Sequence, residues 1–140
     1  IDKSPFMELV MAAWRLNENI PGYLFKRIKA EVPLLNKKKV AILGLSFKKD
    51  IDDARFSLVP KIQRYFLTEG AKVLVSDPYL PSDPLKETLE NADILVIGTN
   101  HSDYKKMSLS KLQKIVAKDC LICDIWNMFG TGKIIFRLNE

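Results

Sequence analysis

The sequence predicts an α/β protein, a Rossmann-like doubly wound parallel sheet preceded by a long N-terminal helix. Three observations carry this expectation. Short apolar runs recur in the last hundred residues, VAIL at 40–43, ILVI at 94–97 and LICD at 121–124. Runs of this length that do not alternate with polar residues are strands buried on both faces. Helical patterns lie between them, and strand–helix alternation with right-handed crossovers produces a parallel sheet covered on both sides. The first thirty residues, by contrast, place their apolar positions at helical spacing only.

Taken in order, Ser4-Pro5 is a helix start, with Ser4 as cap and Pro5 at the first helical position, where a missing N–H costs nothing. Phe6, Leu9, Val10, Ala13, Leu16 and Ile20 form one apolar stripe, and Met7, Met11 and Trp14 widen it. Pro21-Gly22 interrupts the pattern before Tyr23, Leu24 and Ile28 resume it, so the helix is expected to kink or restart near Pro21 and to end before Val32-Pro33. If continuous it is about 40 Å long, at 1.5 Å per residue. A helix so broadly apolar should pack against a surface this chain does not contain, and Trp14 reads as a core or interface residue.

Residues 34–39 form a short linker with three consecutive lysines. After the strand at 40–43, residues 58–69 read as a helix opening after Ser57, tolerating Pro60 in its first turn and stopping at Gly70. Residues 72–76 are the second strand, 84–90 a short helix, 94–97 the third strand, 109–116 another helix, 121–124 the fourth strand, and 134–136 a short fifth. The division is therefore 1–33 for the helix region and 34–140 for the α/β domain. In this fold ligands bind where strands end and helices begin, here after Leu43, Ser76, Ile97 and Asp124.

The composition, 47% hydrophobic and 28% charged over 140 residues, is that of one globular domain and excludes wholesale disorder or a disulfide scaffold. A net charge of +5 invites an anionic partner. Because Lys outnumbers Arg, a small phosphorylated ligand fits better than nucleic acid, which is read preferentially by Arg. No apolar stretch reaches the ~18 residues of a membrane span, and no signal peptide is visible, so the expected location is cytoplasmic and no membrane partner is expected. Cys120 and Cys123 lie in and beside a buried strand with their side chains toward opposite faces, which argues for burial rather than a disulfide, redox pair or metal site.

The loop after the first strand, GLSFKKDIDDAR at 44–55, holds one glycine of a dinucleotide fingerprint and is not a standard NAD turn. Lys48, Lys49 and Arg55 stand among three aspartates. Such a loop either holds phosphate with the help of backbone amides or is a solvated loop of internal ion pairs. Asp77-Pro78 reads as turn-forming. His101 ends the third strand with no partner carboxylate evident nearby in sequence.

The strings VAILGLSFKKDIDDARFS, GAKVLVSDP, ADILVIGTNH and LICDIWN closely resemble the C-terminal, UDP-binding domain of the UDP-glucose/GDP-mannose dehydrogenase family, and the LNENIP segment resembles the family's central helix. The resemblance implies an NAD-dependent nucleotide-sugar 6-dehydrogenase that oxidises a UDP-sugar, UDP-glucose or a UDP-N-acetylhexosamine, to its uronic acid. Matched by position, Phe47 and Lys48 would bind the nucleotide sugar and Arg55 would approach NAD, while Asp52 and Asp53 hold the loop. Ala54 and Phe56 stand where a hydroxyl and an acidic residue are common, and Trp126 where many members carry arginine. The family's nucleophilic cysteine belongs to a Cys-Pro-Lys-Asp segment not found here, and Cys120 and Cys123 do not match it. The chain thus corresponds to a C-terminal portion without catalytic residues or the N-terminal NAD-binding domain, inactive alone and expected to form a homodimer through residues 5–30. A rival reading is a non-catalytic nucleotide-binding or dimerisation module.

Overall fold

The computed structural model describes residues 4–140, so the first three residues of the 1–33 helix region lie outside the described residues. Helix α1 (Pro5–Glu31) is followed by β1 (Lys39–Leu43), α2 (Val59–Thr68), β2 (Lys72–Ser76), α3 (Leu85–Leu89), β3 (Ile94–Ile97), a 3₁₀ turn (Ser102–Lys106), α4 (Leu109–Leu112), β4 (Leu121–Cys123) and β5 (Ile135–Arg137). The strand order is β2-β1-β3-β4-β5. The first four strands are parallel, and β5 runs antiparallel to β4. That last strand departs from the expected all-parallel sheet. The connection over residues 124–134 contains no helix to carry a crossover, whereas an antiparallel neighbour needs only a return loop.

The continuous apolar strands divide their side chains between two cores. Val40, Ile42, Val75, Ile94, Val96, Leu121 and Cys123 face one layer, built from α1 and α2. Ala41, Leu43, Leu95, Ile97, Cys120 and Ile122 face the other, under α3, the 3₁₀ turn and α4. The two cysteines therefore lie on opposite faces, as the strand period requires.

Helix α1 starts as expected, with Ser4 Oγ accepting the Met7 N–H at 3.3 Å. It then runs through Pro21 as one element instead of restarting. Pro21 is buried against the domain, and Lys61 of α2 reaches the Glu18 carbonyl and carboxylate at 3.3 and 2.8 Å. Tertiary packing on α2 thus offsets the helix bond that proline removes. Phe25 stacks on Tyr65 and meets Phe66 edge-on, while Leu24 and Ile28 enter the core. The N-terminal half is uncovered: Phe6, Leu9 and Leu16 are 73%, 69% and 72% exposed, and Trp14 is 56% exposed.

The expected helix over 109–116 is one turn long. Beyond Leu112 the chain tightens so that Ile115 can accept the Asn91 N–H and Ala117 can donate to Ala92, tying the segment to the start of β3. The 3₁₀ turn at Ser102–Lys106 was not anticipated from the sequence; it buries Tyr104 alone.

Candidate binding cleft at the switch point

β1 and β3 are neighbours, yet the chain leaves them toward opposite faces of the sheet, to α2 after β1 and to the 3₁₀ turn after β3. Such a reversal opens a crevice at the carboxyl ends of the strands. Its floor is two glycines in contact. Gly44 has a φ of +92°, and the space a side chain would need is filled by Thr99, whose backbone N would lie 2.5 Å from an added Cβ. At Gly98 an added Cβ would meet the Gly44 carbonyl and Val59. Only glycine permits this approach.

The loop that follows Gly44 is pinned by a buried polar cluster. Asp77, at the end of β2, accepts the N–H of Leu45 at 2.6 Å and of Ser46 at 3.1 Å, as well as that of Tyr79 at 2.8 Å. It therefore forms the expected turn and also holds the neighbouring loop. Burial raises the Asp77 carboxyl, but the amides of Leu45 and Tyr79, the His101 ring and the Ser46 amide together hold it below the ordinary carboxylate value. Thr99 Oγ1 donates to the Ser46 carbonyl at 2.7 Å, and Ser46 Oγ donates to the Lys48 carbonyl at 2.9 Å.

His101 is the centre of this cluster and does have a carboxylate partner, contrary to the sequence reading. Its side chain is fully buried, with Nε2 2.9 Å from both Asp77 Oδ2 and Ser46 Oγ. Nδ1 accepts the Asp50 N–H at 2.8 Å. Since Nδ1 is an acceptor, the ring hydrogen resides on Nε2 and points at Asp77. Asp50, at a φ of +60°, accepts in turn from the N–H and Oγ of Ser102. These Ser102 bonds lower the Asp50 carboxyl. The partners are 24 to 55 residues apart, which hid the cluster; the usable signal was that Ser46, Asp77 and His101 each follow a strand end.

Pinned at Ser46 and Asp50, the loop projects what lies between. Phe47 is half exposed, and Lys48 Nζ sits 5.6 Å from its ring centroid. Lys49 is exposed. Arg55 stands at the outer rim, paired with Asp53 at 2.8 Å. The Arg55 hydrogen bonds hold the Asp53 carboxyl down at about 2. Asp53 also accepts the Phe47 N–H through its carbonyl at 2.7 Å, so it holds the loop as expected; Asp52 is exposed.

Beneath this loop lies a cleft of about 370 Å³ between α1, α2 and the ends of β1, β3 and β4. Its wall is mostly apolar, from Ile20 and Leu24 to Ile62 and Ile125, and three partly exposed aromatics, Phe47, Phe56 and Trp126, stand at its mouth. Trp126 is oriented by its indole N–H, which donates to the Gly98 carbonyl at 3.3 Å. Phe56 keeps a φ of +63° and an 83% exposed ring. The cleft can take a flat or carbon-rich group, with the Lys48 ammonium beside it for an anion.

The cysteines take no part. Both are buried, and burial pushes both thiols up to about 12. Among the described residues no group of His, Cys, Asp or Glu is arranged to hold a metal ion, and no helix is long and apolar enough to cross a membrane.

The chain is 32% identical over 123 residues to the UDP-N-acetyl-D-mannosamine dehydrogenase of Methanocaldococcus jannaschii, a match covering 84% of this chain and 29% of that protein. Among solved structures it is similar to an NDP-N-acetyl-D-galactosaminuronic acid dehydrogenase from Methanosarcina mazei, with TM-score 0.70 and 31% identity over 74% of this chain and 24% of that one. The UDP-D-ManNAc dehydrogenase of Pyrococcus horikoshii gives TM-score 0.69 and 28% identity over 77% and 27% of the two chains. The chain thus spans less than a third of the length of these relatives. Residues 41–131, which contain the pinned loop, the buried cluster and Trp126, match the UDP binding domain of the UDP-glucose/GDP-mannose dehydrogenase family, and the chain belongs to that family.

Proposed function

We propose that this chain is the nucleotide-sugar-binding portion of an NAD-dependent nucleotide-sugar 6-dehydrogenase that oxidises a UDP-sugar to its uronic acid. The observation that carries the reading is the pinned loop, which holds Phe47 at the mouth of an apolar cleft at the switch point, with Lys48 against the Phe47 ring. Lys48 would give the anionic part of the substrate a charge-assisted hydrogen bond, and Phe47 an apolar contact. The similarity to UDP-N-acetyl-D-mannosamine dehydrogenases favours a UDP-N-acetylhexosamine over UDP-glucose.

NAD, when bound to the whole protein, would supply the hydride acceptor. The turn after β1 does not fit its pyrophosphate, because the Asp77 carboxylate already takes the Leu45 and Ser46 amides there. Arg55, exposed at the rim, is the residue this chain would offer it. The nucleophile is likewise assigned to another part of the protein, since thiols raised to about 12 hold their protons at neutral pH. The same proposal assigns residues 1–33 to a central helix that pairs two copies through residues 5–30, residues 34–140 to nucleotide-sugar binding, and the protein to the cytoplasm.

The test is titration of the chain with UDP and UDP-N-acetylhexosamines by calorimetry. A charge-assisted hydrogen bond is worth about 1.5 to 3 kcal/mol, so Lys48→Ala should weaken binding about ten- to a hundredfold and Lys49→Ala much less. Incubation of the chain with NAD and the same sugars should yield no NADH. Equal, small effects of the two substitutions that vanish with salt would remove Lys48 from the site.

A further inference from the structure

We propose that His101 is a positioning residue that acts as a proton-operated latch on the loop carrying Phe47 and Lys48, so that nucleotide-sugar binding weakens when the imidazole is protonated. The proposal rests on the reading of that loop as the binding element, and it deepens that reading by adding its regulation.

The geometry leaves the neutral ring one arrangement. Nδ1 must be bare to accept the Asp50 N–H, and Nε2 must carry the hydrogen that Asp77 accepts. A second proton can enter only at Nδ1, where it would face the hydrogen of the Asp50 amide across a 2.8 Å contact. The loop's distal pin is then lost. A second arrangement is already within reach, because the Asp50 carboxylate lies 3.8 Å from the same nitrogen. A protonated ring would draw that carboxylate toward Nδ1 and away from the N–H and Oγ of Ser102 that hold it now. The proton thus exchanges one set of loop bonds for another, which is what a two-state element requires.

The groups that face the ring come from each element packed on it. Asp77 after β2 and Asp50 of the loop are the carboxylates that face it, at 2.9 and 3.8 Å. Tyr79 and Tyr104 lie against it with centroids at 5.0 and 5.7 Å. The Tyr79 hydroxyl is tied to Asp103, and Lys49 stands near Asp50. The proximal pin, Asp77 to the amides of Leu45 and Ser46, uses no atom that changes protonation with the ring. The Phe47 N–H bond to the Asp53 carbonyl and the Ser46 Oγ bond to the Lys48 carbonyl are untouched as well, so the proton moves the Lys49–Asp50 end of the loop, next to the Lys48 side chain, with the fold kept.

The linkage has a definite sign. The binding-competent loop is the one on neutral His101, so ligand binding expels a proton and affinity falls as pH falls. Nuclear magnetic resonance on the chain between about pH 5 and pH 8, the range in which histidine usually titrates, should show the Asp50 and Ser102 amides moving with the His101 ring on one titration curve. UDP affinity, taken relative to that of His101→Asn at each pH so that titration of the terminal phosphate of UDP cancels, should fall about tenfold through that midpoint, the worth of one net hydrogen bond. His101→Asn retains an acceptor for Asp50 and removes the titration; it should bind UDP with an affinity that no longer follows that curve. The latch is overturned if the two amides ignore the ring, if the ring stays neutral throughout, or if His101→Asn keeps the parent's pH profile. If UDP fails to bind at any pH, the binding role of the loop is refuted, and the two amides alone decide whether the latch exists.

Discussion

Replacing Gly44 by alanine isolates the close approach of β1 to the segment after β3. Two costs are expected. An L-residue held at a φ of +92° carries about 1 to 2 kcal/mol of strain. The new methyl would also lie 2.5 to 2.8 Å from Thr99 backbone and side-chain atoms, and forced overpacking of this kind costs about 1 to 3 kcal/mol. Together they amount to about 2 to 5 kcal/mol, a large part of the 5 to 15 kcal/mol that stabilises a typical domain, and a fall in melting temperature of roughly 10 °C. Gly130→Ala is the internal control, because Gly130 has a φ of +71° with nothing within 4 Å of the added carbon. It should lose the strain alone. Thermal unfolding followed by circular dichroism gives both numbers, and a Gly44→Ala loss no greater than that of Gly130→Ala would refute the close-approach argument. Folded Gly44→Ala should also bind nucleotide poorly, since Thr99, which must move, holds the Ser46 carbonyl.

Two further predictions concern the rest of the molecule. Cys120 and Cys123 should be inert to a thiol reagent at pH 8 in the native chain and react fully in guanidinium, because burial and thiols near 12 leave almost no thiolate; prompt native reaction would contradict their burial. Light scattering should find the chain dimeric and Leu9→Glu or Leu16→Glu monomeric with an unchanged melting profile of the α/β core, since Leu24 and Ile28 are untouched; a parent that is monomeric at high concentration would remove α1 as the pairing surface.

Local pattern was enough to find the strands of the sheet. β2 (Lys72–Ser76) and β3 (Ile94–Ile97) fall where their apolar runs predict, and the opposite facing of Cys120 and Cys123 follows from the strand period alone. The N-terminal cap of α1 and the stop of α2 before Gly70 are legible for the same reason: each depends on residues a few positions apart. What depended on contacts between distant segments was not. Pro21 reads locally as a break, and α1 continues through it because α2 packs alongside. β5 turns antiparallel because the return loop carries no helix, and the one-turn α4 is shortened by backbone bonds to the start of β3. His101 looked partnerless because Asp77, Ser46 and Asp50 reach it only after three strand ends are brought side by side. Side-chain periodicity is a property of neighbouring residues and is written in the sequence. The pairing of a buried histidine is set by the order of strands in the sheet, and that order arises only when the chain packs.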